Sequence, residues 1–373
     1  MSRLRVALVA GTLGPGGAEK QLVYAAIALH AAGADVRILS LTRGDAHAAT
    51  LAARGLSPAW IGRFGPPPVR LAVLAAALAP FRPHVVQAGH FFTNLYVTAA
   101  ARMSGGAAVG AIRSDVGYEL SRHGVWGTRL LAAPPDLIAN SWAAKRNAET
   151  AGRDPSTVHV VGNVIDLTAF DAACGAAAAR AADPTAIAIG SLVPVKRFDR
   201  FLAALQLARR RNERIRGVIV GEGPERRRLE ALAAELGLSP HGVRFLGARD
   251  DVPALLRAAD LCVLSSDHEG FPNAVLEAMS ARLPVIATPC GDIERLVTNG
   301  TTGYVVPFED VVAMSDRIVT LAGSGELRAR LGGAGRKAVE ESYASARLAG
   351  RLLEVYEVIA KRRRRSRLAA ALA

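Results

Sequence analysis

The chain has 373 residues, half of them hydrophobic and 21% charged; it is long enough for two domains with their own cores and too apolar to be disordered. Its three cysteines, Cys174, Cys262 and Cys290, are odd in number and scattered, which excludes a disulfide framework and fits buried thiols in a reducing compartment. The balance of 46 basic residues, five of them lysine, against 33 acidic ones gives +13. That charge points to an anionic partner (nucleic acid, an anionic membrane or a phosphorylated substrate) or to an arginine-rich compositional bias.

No stretch approaches the ~18–20 apolar residues of a membrane span, since Val69–Phe81 is short and carries Arg70. At the N-terminus Arg3 and Arg5 precede Val6–Ala10, a run shorter than the roughly 7–15 residues of a secretory h-region. It reads as a first buried strand, and the expected location is the cytoplasm.

In chain order, β-branched runs fall at Arg5–Ala10, Val36–Leu41, Val85–Ala88, Ala107–Ile112, Leu137–Ala139 and Val158–Val161. A second series follows at Ala186–Ile189, Gly217–Val220, Val243–Leu246, Leu261–Leu264, Pro284–Ala287 and Tyr304–Val306. Continuous apolar runs separated by helix-length Ala/Leu-rich segments predict parallel strands buried on both faces, hence two doubly wound α/β domains. The expected division is residues 1–170, a small-residue linker at 171–184, residues 185–345, and a C-terminal helix with a basic tail at 346–373. Leu348, Leu352, Val355 and Ile359 recur at helical spacing, and the helix is expected to return to the N-terminal domain. Ligands of such sheets bind beyond the carboxyl ends of the strands, so the expected site is the cleft where the two domains face each other.

Candidate site segments follow the predicted strands. Gly11–Lys20 (GTLGPGGAEK) opens a helix, and its glycine amides suit either phosphate contact or an ordinary strand-to-helix turn. His90 ends VVQAGH, placed either to line the cleft or to serve the fold. GSLVPVKRFD at Gly190–Asp199 offers Lys196 as a point charge for a diphosphate, and VGEGP at Val220–Pro224 offers Gly221 and Glu222 for close approach of a base or ribose.

LCVLSSDHEGFPNAVLEA at Leu261–Ala278 is the most informative segment. A strand ends, Glu269, Gly270 and Phe271 form a turn, and a helix begins near Pro272 with the amides of Asn273, Ala274 and Val275 at its positive end. Two carboxylates, Glu269 and Glu277, flank that end. This suits sugar hydroxyls beside a diphosphate better than phosphate alone. The sequence has no P-loop, no H-E-x-x-H, no G-x-S-x-G elbow and no D-x-D pair, and its eight histidines make no ligand cluster.

The ordered set of these blocks resembles retaining glycosyltransferases of family 4 with the GT-B fold. EGFPNAVLE at Glu269–Glu277 looks like the family's E-x7-E motif, GGAE at Gly16–Glu19 like its glycine loop, and GNVIDLTAF at Gly162–Phe170 like its interdomain segment. GSLVPVKRFD, GEGP, FLGARDDVPALL and LPVIATPCGDIERLV resemble its second-domain blocks in order and spacing. The resemblance implies transfer of a sugar from a nucleotide-diphosphate donor with retained configuration, no cofactor and no bound metal. A UDP-sugar is the preferred donor and GDP-mannose the next, with a glycan or lipid-linked acceptor of cell-envelope or extracellular polysaccharide synthesis. Glu269 would hold hydroxyls of the donor sugar and Glu277 those of the ribose. Lys196 and the amides of Gly16, Gly17, Ala274 and Val275 would hold the diphosphate.

Three positions depart from the family pattern. Ser191 stands where an arginine is usual, with Arg197 as a candidate substitute. IRSDVGYE replaces a segment that often carries a histidine near the sugar; Arg113, Ser114 and Asp115 are candidates for its role, with His90 and His123 as alternatives. Leu283 replaces a turn glycine. A sugar-nucleotide epimerase of the same fold is the enzymic alternative. A basic nucleic-acid-binding protein is the non-enzymic one, but the sequence lacks aromatic interleaving on a single basic face. Lys361–Arg367 (KRRRRSR) carries +6 and suggests contact with the inner face of the cytoplasmic membrane.

Overall fold

The structure is a computed structural model that describes residues 3–43, 46–62, 65–175 and 182–372, with side chains described as far as Arg364. Residues 176–181 of the expected linker, and the side chains of Arg365 and Arg367 in the basic run, lie outside the described residues. The chain divides into two compact units, residues 3–164 with 345–372 and residues 165–344.

The first unit holds a seven-stranded parallel sheet: β1 (Arg5–Ala10), β2 (Asp35–Ser40), β3 (Ala59–Trp60), β4 (Val85–Ala88), β5 (Ala107–Ile112), β6 (Asp136–Ala139) and β7 (Val158–Val160). Their order is β3-β2-β1-β4-β5-β6-β7, so the winding reverses between β1 and β4. Strands β1, β4 and β5 are buried almost throughout on both faces because helices cover both sides. The two-residue β3 has no apolar alternation to betray it, and it pairs with β2 only through Ala59 and Trp60.

The second unit holds six parallel strands: β8 (Thr185–Ile189), β9 (Arg216–Val220), β10 (Val243–Phe245), β11 (Leu261–Leu264), β12 (Val285–Ala287) and β13 (Gly303–Val305). Their order is β10-β9-β8-β11-β12-β13, with the reversal between β8 and β11. The helix Phe198–Arg211 shows why the sheet is well covered: Phe198, Phe201, Leu202, Leu205 and Ala208 form an apolar stripe at helical spacing, all buried.

The units divide between Val164 and Ile165, six residues before the expected boundary at 170. Ile165, Phe170 and Cys174 pack in the core of the second unit, and the Ile165 amide donates to the Tyr343 carbonyl at 2.9 Å. Arg336 completes this closure with two 2.7 Å bonds to the Asp171 carboxylate. The helix Leu348–Leu372 packs in the first unit, where Leu348, Leu352, Tyr356 and Ile359 join a core that includes Leu22 and Leu29. Tyr356, not Val355, is the third fully buried side chain, because its hydroxyl donates to the buried Gln87 at 2.5 Å. No helix among the described residues is long and apolar enough to cross a membrane.

Candidate active site

In the second unit the loops after β8 and β11 meet at the reversal point, where open α/β sheets bind ligands. The β8 loop brings Lys196, whose aliphatic stem crosses the space left open by Gly190. The β11 loop brings Glu269. Lys196 Nζ donates to Glu269 Oε1 at 2.6 Å, and Ser266 Oγ donates to the same oxygen at 2.8 Å. The side chains are 24% and 10% exposed, so the pair is sheltered but still reachable. The two loops are also tied by backbone: Asp267 N–H donates to Val195 O at 2.9 Å, and Ser265 Oγ donates to Lys196 O at 3.0 Å.

A second layer of charge fixes this geometry. Arg200, 2% exposed, donates to the Ser265 carbonyl, to Asp267 at 2.8 Å and to Glu309 at 2.6 Å. Burial raises the Asp267 pKa, but Arg200 and Arg197 outweigh it and hold the carboxyl below its ordinary range. Beneath the turn, Gly291 has φ +59°, and a Cβ there would meet the Glu269 carbonyl at 2.8 Å. Glycine permits both the left-handed backbone and the close approach. Burial, with Glu269 adding, pushes the neighbouring Cys290 thiol up to about 12, so it lines the site as an inert group.

The other predicted residues of this unit differ in placement. Arg197 has φ +48° and turns its guanidinium to Asp199, Asp267 and Glu309, bonds that raise its pKa. It braces the loop in this structure. Phe271 is buried against Tyr343 with ring centroids 5.8 Å apart. The Asn273 and Val275 amides donate to Phe271 O at 3.0 Å and Pro272 O at 3.1 Å, so both are engaged inside their own turn. Ala274 and Gly270 are half-buried beside them.

Glu277 is half-buried on the helix Asn273–Ser280, close enough to β11 that its charge, after burial, adds to the rise of the Cys262 thiol to about 12. Gly221, with φ +142°, lies against the Gly190 carbonyl where a Cβ would stand at 1.9 Å. Glu222 is exposed and paired with Arg226. Sequence reasoning missed Ser266, Arg200, Asp267, Glu309 and Gly291. The signals were the second arginine of KRFDR and the aspartate of SSDHEG, but a partner about 70 or more residues away is not readable from spacing.

In the first unit the reversal point is occupied by Gly11 and His90. The Gly11 amide donates to His90 Nδ1 at 3.0 Å, which places the ring proton on Nε2, 3.2 Å from Glu19 Oε1. Burial raises the Glu19 pKa, but the bonds with His90 and its own amide outweigh it, so the carboxyl titrates below its ordinary value. Glu19 also folds over Gly16, where a Cβ would meet Glu19 Oε2 at 2.4 Å. The Gly16 and Gly17 turn thus opens its helix with a carboxylate already at the positive end.

Asp115 caps the helix Val116–His123, accepting from Tyr118 N at 2.9 Å and Asn147 Nδ2 at 2.6 Å. Ser114 bonds Glu119, and His123 lies 3.3 Å from the same carboxylate. Arg113 stands apart: it follows β5, burial lowers its pKa to about 10, and its Nε is buried with no partner among the described residues.

Two family descriptions match in tandem: Glycosyltransferase Family 4 over residues 15–169 and Glycosyl transferases group 1 over 183–324. Among curated relatives, the N-acetyl-alpha-D-glucosaminyl L-malate synthase of Bacillus anthracis is 32% identical over 139 residues, 37% of this chain and 36% of that protein. The GDP-mannose-dependent alpha-(1-6)-phosphatidylinositol monomannoside mannosyltransferase of Mycobacterium tuberculosis is 33% identical over 180 residues, 46% of each chain. The chain thus matches less than half the length of either. HepE of Anabaena, solved with UDP and glucose, superposes with a TM-score of 0.79 at 18% identity, covering 95% of this chain and all of that one. The two reversed parallel sheets are those of the GT-B fold, and with both halves matched in order the chain belongs to glycosyltransferase family 4.

Proposed function

We propose that the protein transfers a sugar from a nucleotide-diphosphate donor to a glycan or lipid-linked acceptor, with retention at the anomeric carbon. The observation that carries this reading is the Lys196–Glu269 pair, held by Ser266 at the reversal point of the second sheet. An ammonium there can take the charge that develops on a departing nucleoside diphosphate, the role that a metal ion fills in other transferases. Glu269, released from Lys196 as the donor arrives, can accept hydrogen bonds from sugar hydroxyls. Glu277 is assigned the ribose hydroxyls and the Ala274 amide the diphosphate oxygens. In the first unit, Arg113, a strand-end group whose buried Nε has no partner among the described residues, is the residue we assign to the position of the family histidine.

The donor is a UDP-sugar, in keeping with HepE, which was solved with UDP and with UDP-glucose. GDP-mannose follows, since the M. tuberculosis relative is named for it. A thermal-shift screen with UDP, GDP and their sugars tests this: a bound ligand at about 100 times its Kd stabilises by about 2.7 kcal/mol. Stabilisation by a UDP- or GDP-sugar supports the reading, and none by any member of the screen contradicts it. Donor consumption that needs no acceptor and returns an isomeric nucleotide sugar would mark an epimerase instead.

The basic tail is part staple and part candidate lipid contact. Arg362 pairs with the buried Asp136, and Arg363 donates to Gly105 O at 3.3 Å, so the start of the run is bound to the first unit. We assign the residues after it to an anionic membrane surface at the inner face of the cytoplasmic membrane, at about 1 kcal/mol for each basic residue near the lipid.

A further inference from the structure

The chain enters the helix Phe198–Arg211 through a turn that its residue type opposes. The short helical turn Pro194–Lys196 ends on Lys196, and Arg197 follows in the left-handed region with φ +48° and ψ +46°. A side chain there crowds the following carbonyl, so glycine is the residue that visits this region freely. Of the three non-glycine residues with positive φ among the described ones, Arg82, Arg197 and Arg282, Arg197 is the one next to Lys196. Such a conformation persists where its surroundings hold it.

Three carboxylates hold it, from three places in the sequence. Asp199, in the first turn of the helix, accepts from Arg197 Nε at 3.2 Å. Asp267 of the β11 loop accepts from Nη1 at 3.1 Å, and so does Glu309, which follows β13. The buried Arg200 donates to the same Asp267 and Glu309 at 2.8 and 2.6 Å, so two arginines and two remote carboxylates close a ring. The ring grips the residue after Lys196. The residue before it is gripped from the same loop, since Asp267 N–H donates to Val195 O at 2.9 Å. Lys196 is thus fixed on both sides while its ammonium meets Glu269 at 2.6 Å. The cluster of Arg197, Arg200, Asp199, Asp267 and Glu309 holds more negative than positive charge, so it is a poor receptor for a diphosphate. Its geometry suits an action on Lys196.

We propose that Arg197 is a positioning residue for Lys196: anchored by Asp267 and Glu309, it keeps the left-handed turn that aims the ammonium at Glu269. The effect on rate rests on the proposed transfer through Lys196; the aim of the ammonium does not.

Arg197→Met and Arg197→Gly both remove the guanidinium, but glycine takes this backbone without strain. The aim is read without donor, from the rate at which limiting acetic anhydride acylates Lys196. The chain has five lysines, so mass spectrometry follows that site individually. In Arg197→Met acylation should be at least threefold faster than in the parent. Its kcat should fall tenfold or more with donor KM nearly unchanged, as about a hundredfold per ångström gives for a shift of about half an ångström. Arg197→Gly should recover most of both losses. Glu309→Gln alters a side chain that is 73% exposed and spares the fold; it should speed acylation in the parent but not in Arg197→Gly. An Arg197→Gly as impaired as Arg197→Met, or a Glu309→Gln that changes nothing in the parent, overturns the inference. So does a donor KM raised tenfold in both Arg197 variants with acylation unchanged, which makes Arg197 a direct contact of the donor. If acylation follows the expected pattern while every variant turns over like the parent, the turn aims Lys196 and it is the transferase reading that fails.

Discussion

Replacing Gly291 by alanine separates the position of Glu269 from the stability of its surroundings. At φ +59° an alanine costs about 1–2 kcal/mol of backbone strain. Its Cβ would stand 2.8 Å from the Glu269 carbonyl, 3.0 Å from that of Gly270 and 3.1 Å from Glu269 Cβ. Ordinary contact begins near 3.4 Å, so the turn must retreat by about 0.6 Å. Glu269 is anchored by Lys196 and Ser266, and a retreat of its backbone pulls the carboxylate off those partners. At about a hundredfold per ångström of misplacement, 0.6 Å corresponds to a loss of about tenfold or somewhat more in kcat/KM. Gly300→Ala is the control: its φ is +76°, but a Cβ there meets nothing within 4 Å. It should lower Tm by a comparable few degrees and keep its rate. The assay is nucleotide release from the donor that gives the largest thermal shift, with Tm followed by scanning fluorimetry. If Gly291→Ala turns over within twofold of the parent while its Tm falls like that of Gly300→Ala, the turn does not position a reacting group.

Arg200→Met should lower the stability of the second unit by about 3 kcal/mol or more, because Asp267 and the Ser265 carbonyl lose a buried partner; urea unfolding followed by circular dichroism over the whole chain, with the emission of Trp60, Trp126 and Trp142 reporting the first unit separately, checks this. Glu19 titrates below its ordinary value of 4.5, so the stability it contributes is present above that pH and is lost as pH falls through its folded-state value. Tm against pH for Glu19→Gln should therefore be flatter below about pH 4.5 than for the parent. Truncation before Leu348 removes Leu348, Leu352, Tyr356 and Ile359 from the first unit's core and uncovers the residues they pack on; at about 1.5–3 kcal/mol for each buried side chain lost, the loss matches a whole domain's stability, and the first unit should fail to fold. Truncation after Arg364 should leave Tm unchanged and weaken binding to anionic liposomes; unchanged binding would refute the lipid contact.

Most of the fold was legible because parallel strands buried on both faces write themselves as continuous apolar runs. The expected strands lie within a residue or two of the observed ones, and the missed β3 is a two-residue edge pairing with no run to read. Lys196 and Glu269 stood out because each follows a strand, and strand order then brought the two loops together. The charge of Arg197 was visible, but its left-handed backbone, which aims it at Asp267 and Glu309, was not. For Phe271, a turn residue beside a motif is indistinguishable from a core residue until Tyr343 is found against it.

The central claim is that Lys196 and Glu269 act on a sugar-nucleotide diphosphate. Transfer from the best-binding donor, measured in Lys196→Ala and Glu269→Ala with Tm recorded for each, tests it most directly. The account predicts a loss of at least a hundredfold in kcat/KM in both variants with the fold retained. Near-normal turnover by either one would contradict it.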